Sequence, residues 1–297
     1  MLTRRDISKP SGSAPHPYTV DGSDKSLLLS LTTLKRLKSR IRHSKLFLTD
    51  SDLTKFNVKC CSLDLHTGEP ADGGEQYFKL PSRQDVKALA KEYELHKYDG
   101  VDDSDAFPLS NFNEANFVRI LLENQLKLHE HVIRCQESGQ PRPPTNLLRR
   151  SGWCMRGCDE KERFHYFGDN GNQWMAETLL KVEDGSEPHL TCFLIDSTQR
   201  RDDSLCTSEL WCVLMMCAHQ HLRRIQEHRP VAIVPVTVVS GSGRQVRIIQ
   251  GNADGRNGNI SIRKSPIIDF KADKKKQWDD WLAVLSWFIS TPVGDTA

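Results

Sequence analysis

Hydrophobic spacing along this chain switches between steps of three or four and alternation by two, and the switches mark its elements. In SLLLSLTTLKRLKSRIRHSKLFL, Leu27, Leu31, Leu34, Leu37 and Ile41 recur at helical spacing, so one face of a helix is apolar. Lys35, Arg36, Lys38, Arg40, Arg42 and Lys45 fill the other positions. KFNVKCCSLDLH reads as a strand and HTGEPADGGEQ as a loop. Ser82 then offers a cap-like start to a short helix in RQDVKALAKEYELHKY. A longer helix begins near Asn113, with Phe117, Leu121, Leu128, Val132 and Cys135 as its apolar stripe. GQPRPPTN ends it, because proline cannot continue a helix.

The second half has a clearer rhythm. The pattern predicts a helix over 174–182, a short apolar strand in LTCFLID, and a helix from Thr207 to near Glu227. Three β-rich runs follow, VAIVPVTVVS, QVRIIQGN and NISIRKSPIIDF, separated by the turn chemistry of GSGR and ADGRNG. A last amphipathic helix, KKKQWDDWLAVLSWFIS, directs Trp278, Trp281, Leu282, Leu285 and Phe288 toward a core. LWCVLMMCA is apolar on every side, so its helix should lie between the sheet and a second helical layer. The expected class is α/β or α+β, with helices on a mixed sheet of about 4–6 strands. Residues 1–25 read as a disordered tail, 26–140 as a mostly helical layer, and 147–297 as the sheet-containing core, integrated with 26–140 into one domain.

Composition narrows the setting. The net charge of +2 over 297 residues argues against a surface built wholly for nucleic acid. No run approaches the roughly 20 apolar residues that span a bilayer. The basic N-terminus has no apolar segment behind it, so it is not read as a secretory signal. The nine cysteines are odd in number, and Cys192, Cys212 and Cys217 sit in apolar runs. That usage suits a reducing compartment better than a disulfide framework, and an intracellular protein of cytoplasm or nucleus is expected.

The chemistry-bearing candidates centre on 189–211, HLTCFLIDSTQRRDDSLCTSELW. Asp196 ends an apolar strand and Glu209 opens a helix, a pairing that could place two carboxylates in one cleft. Capping and turn formation explain the same residues without catalysis. A magnesium-dependent nuclease of the PD-(D/E)xK type would add a lysine to two such acids, the acids holding the metal and the lysine meeting phosphate charge. Thr198 stands where FLIDSTQ would need that lysine, while IIDFK supplies Asp269-Phe270-Lys271. This gives a weak likeness to a degenerate member of that fold, with Asp196, Glu209 and Lys271 as its catalytic set. Cys154, Cys158 and His165, or Cys217, His219, His221 and His228, fall short of two tight zinc-ligand pairs, so no metal site is predicted. SGSGRQ and NADGRNGN read as turns rather than phosphate or calcium loops. Lys35, Arg36, Lys38, Arg40 and Arg42 form the best interaction feature, suited to polyanions or an import receptor.

Residues 189–296 also resemble the C-terminal region of a set of uncharacterised proteins of filamentous fungi. The likeness rests on HRPVAIVPVTVVSGSGRQVRIIQGNADGRNGNISIRKSPIIDF, the Trp-rich helix and STPVGDT. It implies a strand ending in Asp, a helix opening near a Glu and a Pro-x-Gly-Asp-Thr close, and it implies no activity. The expected function is therefore a non-catalytic binding or accessory protein needing no cofactor. Its partner would be a protein or, with less support, a nucleic acid, with no membrane involved. The alternative is the nuclease-like reading with Mg2+.

Overall fold

Seven consecutive residues, Leu190–Asp196, are all buried, so this strand must be paired on both edges and covered on both faces. The computed structural model, which describes residues 22–42, 45–95, 110–136, 146–155, 165–167, 171–270 and 274–297, shows how. The N-terminal elements are α1 (Gly22–Arg42), β1 (Phe47–Leu48), α2 (Asp50–Lys55), β2 (Val58–Ser62), β3 (Phe78–Lys79), α3 (Arg83–Glu92), α4 (Asn111–Gln136) and α5 (Leu147–Arg150). Then come β4 (Trp153–Met155), β5 (His165–Phe167), β6 (Gln173–Val182), β7 (Leu190–Asp196), β8 (Leu205–Cys206) and α6 (Thr207–Gln226). The chain closes with β9 (Val236–Ser242), β10 (Gln245–Asp254), β11 (Asn259–Lys264), β12 (Ile268–Asp269), α7 (Lys274–Phe288) and β13 (Thr291–Pro292).

The main sheet is mixed and has nine strands, in the order β2-β11-β10-β9-β7-β6-β4, with β12 beside β10 and β5 beside β6. β7 and β9 run parallel across the α6 crossover, and β2 runs parallel to β11. The remaining neighbours are antiparallel. This α+β sheet is larger than the four to six strands expected. One reason is that β2, from the N-terminal half, completes an edge. Another is that residues 174–182, predicted as a helix, lie in β6. Ala, Glu, Leu and Lys there favour a helix, but pairing with β7 on one edge and with β4 and β5 on the other overrides that preference. The strand is not regular: it bulges between Glu177 and Leu180, with Thr178 at φ 53° and its hydroxyl donating to Glu123 Oε2 at 3.1 Å.

Each face of the sheet carries its own core. On one, Cys192, Leu194, Val238 and Ile249 pack against Leu210, Val213 and Cys217 of α6 and against Leu34 and Leu37 of α1. Helix α6 thus lies between the sheet and α1, the position its all-round apolar sequence requires. On the other, Phe193, Ile195, Val239 and Ile248 meet Val118 and Leu122 of α4 and Trp281 and Leu285 of α7. Buried tryptophans pin this second layer, since Trp281 Nε1 donates to Gln125 Oε1 at 2.6 Å and Trp287 Nε1 to the Leu65 carbonyl at 3.0 Å.

Two helical faces differ from the spacing reading. Helix α1 docks through Ser26, Ser30, Thr33, Leu34 and Leu37, while Leu31 is exposed and the Ile41 side chain lies outside the described residues. Small polar residues win because Ser26 Oγ works in the interface, donating to the Ala232 carbonyl at 2.5 Å and accepting from Gly255 N at 2.6 Å. In α4 the buried stripe is Ala115, Val118, Leu122 and Leu126, one position on from the expected Phe117 and Leu121. Small and branched residues let that helix lie close over the strands, and Phe117 is left partly exposed. The side chains of Leu128, Val132 and Cys135 fall outside the described residues.

Burial pushes two histidines, His189 and His221, down to about 4 from an ordinary value near 6.5. Their neutral forms are favoured by the fold, so the unfolded chain binds more protons between about pH 6.5 and 4. Stability is then full above pH 6.5 and falls as pH drops toward 4, by up to about 3 kcal/mol per histidine. Urea unfolding at pH 7.5, 5.5 and 4.5 checks this. His221→Leu should flatten the decline, and a midpoint independent of pH in wild type would refute the assignment.

Candidate functional site

Strand alternation decides which way Asp196 points. Cys192 and Leu194 face α6, so Asp196, two residues on, faces it too. There the carboxylate is 2% exposed and closed in on both oxygens. Oδ1 accepts from Thr198 N at 2.7 Å, and Oδ2 accepts from Arg200 at 3.1 Å and from the Ser208 hydroxyl. Glu209 sits in the first turn of α6 and is fully buried. Its Oε2 accepts from Cys206 N at 2.8 Å, half of a capping box at the helix start.

Glu209 is held chiefly by Arg247. This arginine rises near the start of β10 on the α6 face and is itself fully buried. Its Nε donates to Glu209 Oε1 at 2.8 Å and its second amino group to Oε2, a two-pronged pair. The third nitrogen donates to the carbonyls of Arg201 at 2.8 Å and Ser204 at 3.0 Å. Arg200 joins the two acids: it donates to Asp196, lies 3.5 Å from Glu209 Oε1, and donates to the carbonyls of Thr198 at 3.1 Å and Gly241 at 3.2 Å. Two carboxylates and two guanidinium groups therefore balance inside the core.

Burial alone would raise the Glu209 carboxyl, but Arg247 and Arg200 outweigh it and hold it at about 2. The Cys206 thiol beside them is pushed up to about 12 by burial and by the charge of Glu209. Such a thiol stays protonated and is not a nucleophile. A cleft of about 610 Å³ opens nearby, lined by Ser62, Asp64, Glu69, Asp202, Lys264 and Pro266 among others. Asp196 and Glu209 are not among its walls.

The structure thus brings Asp196 and Glu209 together, through an arginine. Lys271 lies outside the described residues, and Asp269 is exposed on β12, paired with Gln245. Lys35, Arg36 and Lys38 all stand on the outer face of α1. Arg36 is engaged, donating to the Lys55 carbonyl at 2.6 Å with its guanidinium 5.0 Å from the Phe56 ring. The side chains of Arg40 and Arg42 lie outside the described residues. Of the zinc candidates, Cys217 donates to the Val234 carbonyl at 3.4 Å, and Cys158 lies outside the described residues. Among the described residues no three His, Cys, Asp or Glu side chains come together to hold a metal. SGSGRQ is the β9–β10 turn, with Gly243 at φ 60°. In NADGRNGN, Asp254 caps its own turn through Arg256 N at 2.8 Å and Asn257 Nδ2 at 2.7 Å.

Sequence reasoning missed Arg200 and Arg247. The signal was present in QVRIIQ, where an arginine interrupts a core strand and so demands a buried counter-charge. Comparison with family models, with curated proteins and with solved structures returned no match to this chain.

Removing one member of this network strands the other. Arg247→Met should cost about 3–5 kcal/mol, because Glu209 would keep its charge in the core without its main partner. Adding Glu209→Gln to that variant should recover a large part of the loss, as a double-mutant cycle in guanidinium chloride would show. A cost below about 1 kcal/mol for Arg247→Met would mean the pair is not desolvated as described.

Proposed function

We propose that the protein is a non-catalytic binding or accessory protein, working inside the cell and engaging a polyanionic partner through the outer face of α1. One observation carries the non-catalytic part: both oxygens of Asp196 and both of Glu209 are already occupied by donors from the fold. A magnesium ion needs oxygen ligands open to it and to substrate phosphate. These two carboxylates do not fit that need. The competing nuclease-like reading would require Arg200 and Arg247 to withdraw from both acids, leaving their own charges buried.

Helix α1 supplies the binding part. Its small residues and Leu34 and Leu37 face the core, which leaves Lys35 and Lys38 outward beside Arg36. Clustered cations on one solvated helix face suit phosphate or carboxylate arrays, with affinity that falls as salt rises. Buried thiols at Cys206, Cys212 and Cys217 support an intracellular setting. The likeness of residues 189–296 to proteins of filamentous fungi supports a fungal source and adds no activity.

Incubation with plasmid DNA, single-stranded DNA and RNA in Mg2+ or Mn2+ should give no cleavage above that of the Lys271→Ala variant. Cleavage abolished by both Asp196→Asn and Lys271→Ala, with circular dichroism unchanged, would establish the nuclease reading instead. On heparin, Lys35→Glu with Lys38→Glu should lower the eluting salt concentration. Unchanged elution would remove α1 from the proposal.

A further inference from the structure

The sheet face turned away from α6 carries a polar row that its apolar surroundings do not explain. Thr191 on β7 pairs in register with Thr237 on β9, Thr237 with Gln250 on β10, and Gln250 with Arg263 on β11. In-register neighbours share a face, so these four side chains line up across four adjacent strands. All four are at least nine-tenths buried, Gln250 at 3% exposure. Yet Thr191 Oγ1, Thr237 Oγ1, both amide atoms of Gln250 and Nε of Arg263 have no hydrogen-bond partner among the described residues. Buried polar atoms are paired with protein or with ordered water in the great majority of folds.

Space for a partner lies in the right place. A cavity of about 10 Å³ is lined by Tyr77 and Phe78 from β3 and its approach, and by Gln250, Asn252, Ser261 and Arg263 from the sheet. That is the volume of about one water. The chemistry of its walls selects the same occupant. Gln250 presents an acceptor and donors side by side and Arg263 Nε donates, while the hydroxyl of Thr237, the in-register neighbour of Gln250 on β9, can do both. An anion would confront the Gln250 carbonyl and a cation would confront Arg263. The charge of Arg263 is already met, since it donates to the Glu75 carbonyl at 2.5 Å and lies 3.5 Å from Asp72 Oδ1.

We infer that this cavity is a water site, in which one ordered water molecule bridges Gln250 to Arg263 and to the neighbouring Thr237 beneath β3. The inference is independent of the proposed function. It makes water the link between the sheet and the two-stranded flap formed by β3 and β13. The water would exchange slowly, because Tyr77 and Phe78, both buried, border it from the flap.

The test uses the full chain and the substitutions Gln250→Met and Thr237→Val, which keep side-chain volume and remove the polar atoms. A wild-type crystal structure at atomic detail should show water within hydrogen-bond distance of the Gln250 amide and of Thr237 or Arg263. In solution, the Gln250 side-chain amide should give a cross-peak to a slowly exchanging water. Either substitution should then lower Tm by roughly 2–4 °C, since a satisfied bond is lost. A dry site predicts the opposite sign, because removing an unpaired buried amide or hydroxyl raises Tm. A rise in Tm, or a structure in which Gln250 bonds directly to Thr237 or Arg263 with no water between, would overturn the inference. If Gln250→Met fails to fold, Thr237→Val and the amide cross-peak decide it.

Discussion

A buried arginine on a central strand sets the terms for the rest of this fold. Arg247 cannot shed its proton, and in the core it cannot be left unpaired. Its partner is Glu209, so the first turn of α6 must sit directly over β10. Arg200 then ties Glu209 to Asp196 and to the Gly241 carbonyl, which binds the end of β7 and the end of β9 to the same point. The crossover from β7 to β9 is therefore held where it leaves the sheet. Replacing such a network with apolar residues of matching volume is often neutral for stability. Such a network also penalises a change of register: a one-residue slip of β7 or β10 would turn Asp196 or Arg247 to the opposite face and separate the charges. Stability and folding uniformity of an all-apolar replacement would distinguish the two roles.

The faces of the sheet solve the same problem differently. Toward α6, charge is buried and cancelled pairwise. Toward α7, the polar row from Thr191 to Arg263 is neutral at its centre, and its Gln250–Arg263 end borders Tyr77 and Phe78 of the β3–β13 flap. The flap is held from outside the row as well. His189 Nε2 bonds the Val293 carbonyl at 3.0 Å, and its ring meets Phe78 edge-on at 5.2 Å. Close approach is visible in the sheet centre too, where a Cβ on Gly241 would stand 2.8 Å from the Phe193 ring. Glycine at that position leaves room for the aromatic ring against β9.

Much of the architecture was legible from spacing alone. The β-rich runs after residue 231, the caps at Ser82 and the crossover helix, and the burial of LWCVLMMCA all follow from local pattern and turn chemistry. Three readings failed for reasons that local pattern does not carry. WMAETLLKV has helix-favouring residues, yet it pairs with β7 along one edge. Ser26 and Ser30 look like solvent-facing positions, but the backbone groups of Ala232 and Gly255, more than two hundred residues away, give Ser26 its partners. β2 joins the sheet edge as a parallel partner of β11, a non-local pairing that no hairpin announces. The two acids at the candidate site were legible as residues; a buried arginine was signalled by QVRIIQ, but which acid it pairs with is decided only by the register of the strands.

Parity explains why a catalytic-looking strand end is closed. In open α/β sheets ligands gather outside the carboxyl ends of strands, which is why LTCFLID followed by a helix suggests a site. Position along the chain is only half of that rule. Asp196 shares its face with Cys192 and Leu194, and that face is covered to its last residue by α6 and the loop 197–204. An acid one residue earlier would replace Ile195 on the α4 side, and one residue later, at Ser197, it would stand where the chain leaves the core. Only at 196 does a carboxylate meet Ser208 and Arg200 together. The same short segment thus reads as a reactive edge or as a structural clasp, and the choice turns on an arginine four residues downstream and another on the neighbouring hairpin. A strand-end acid is best weighed by asking first whether the chain supplies buried cations to claim it.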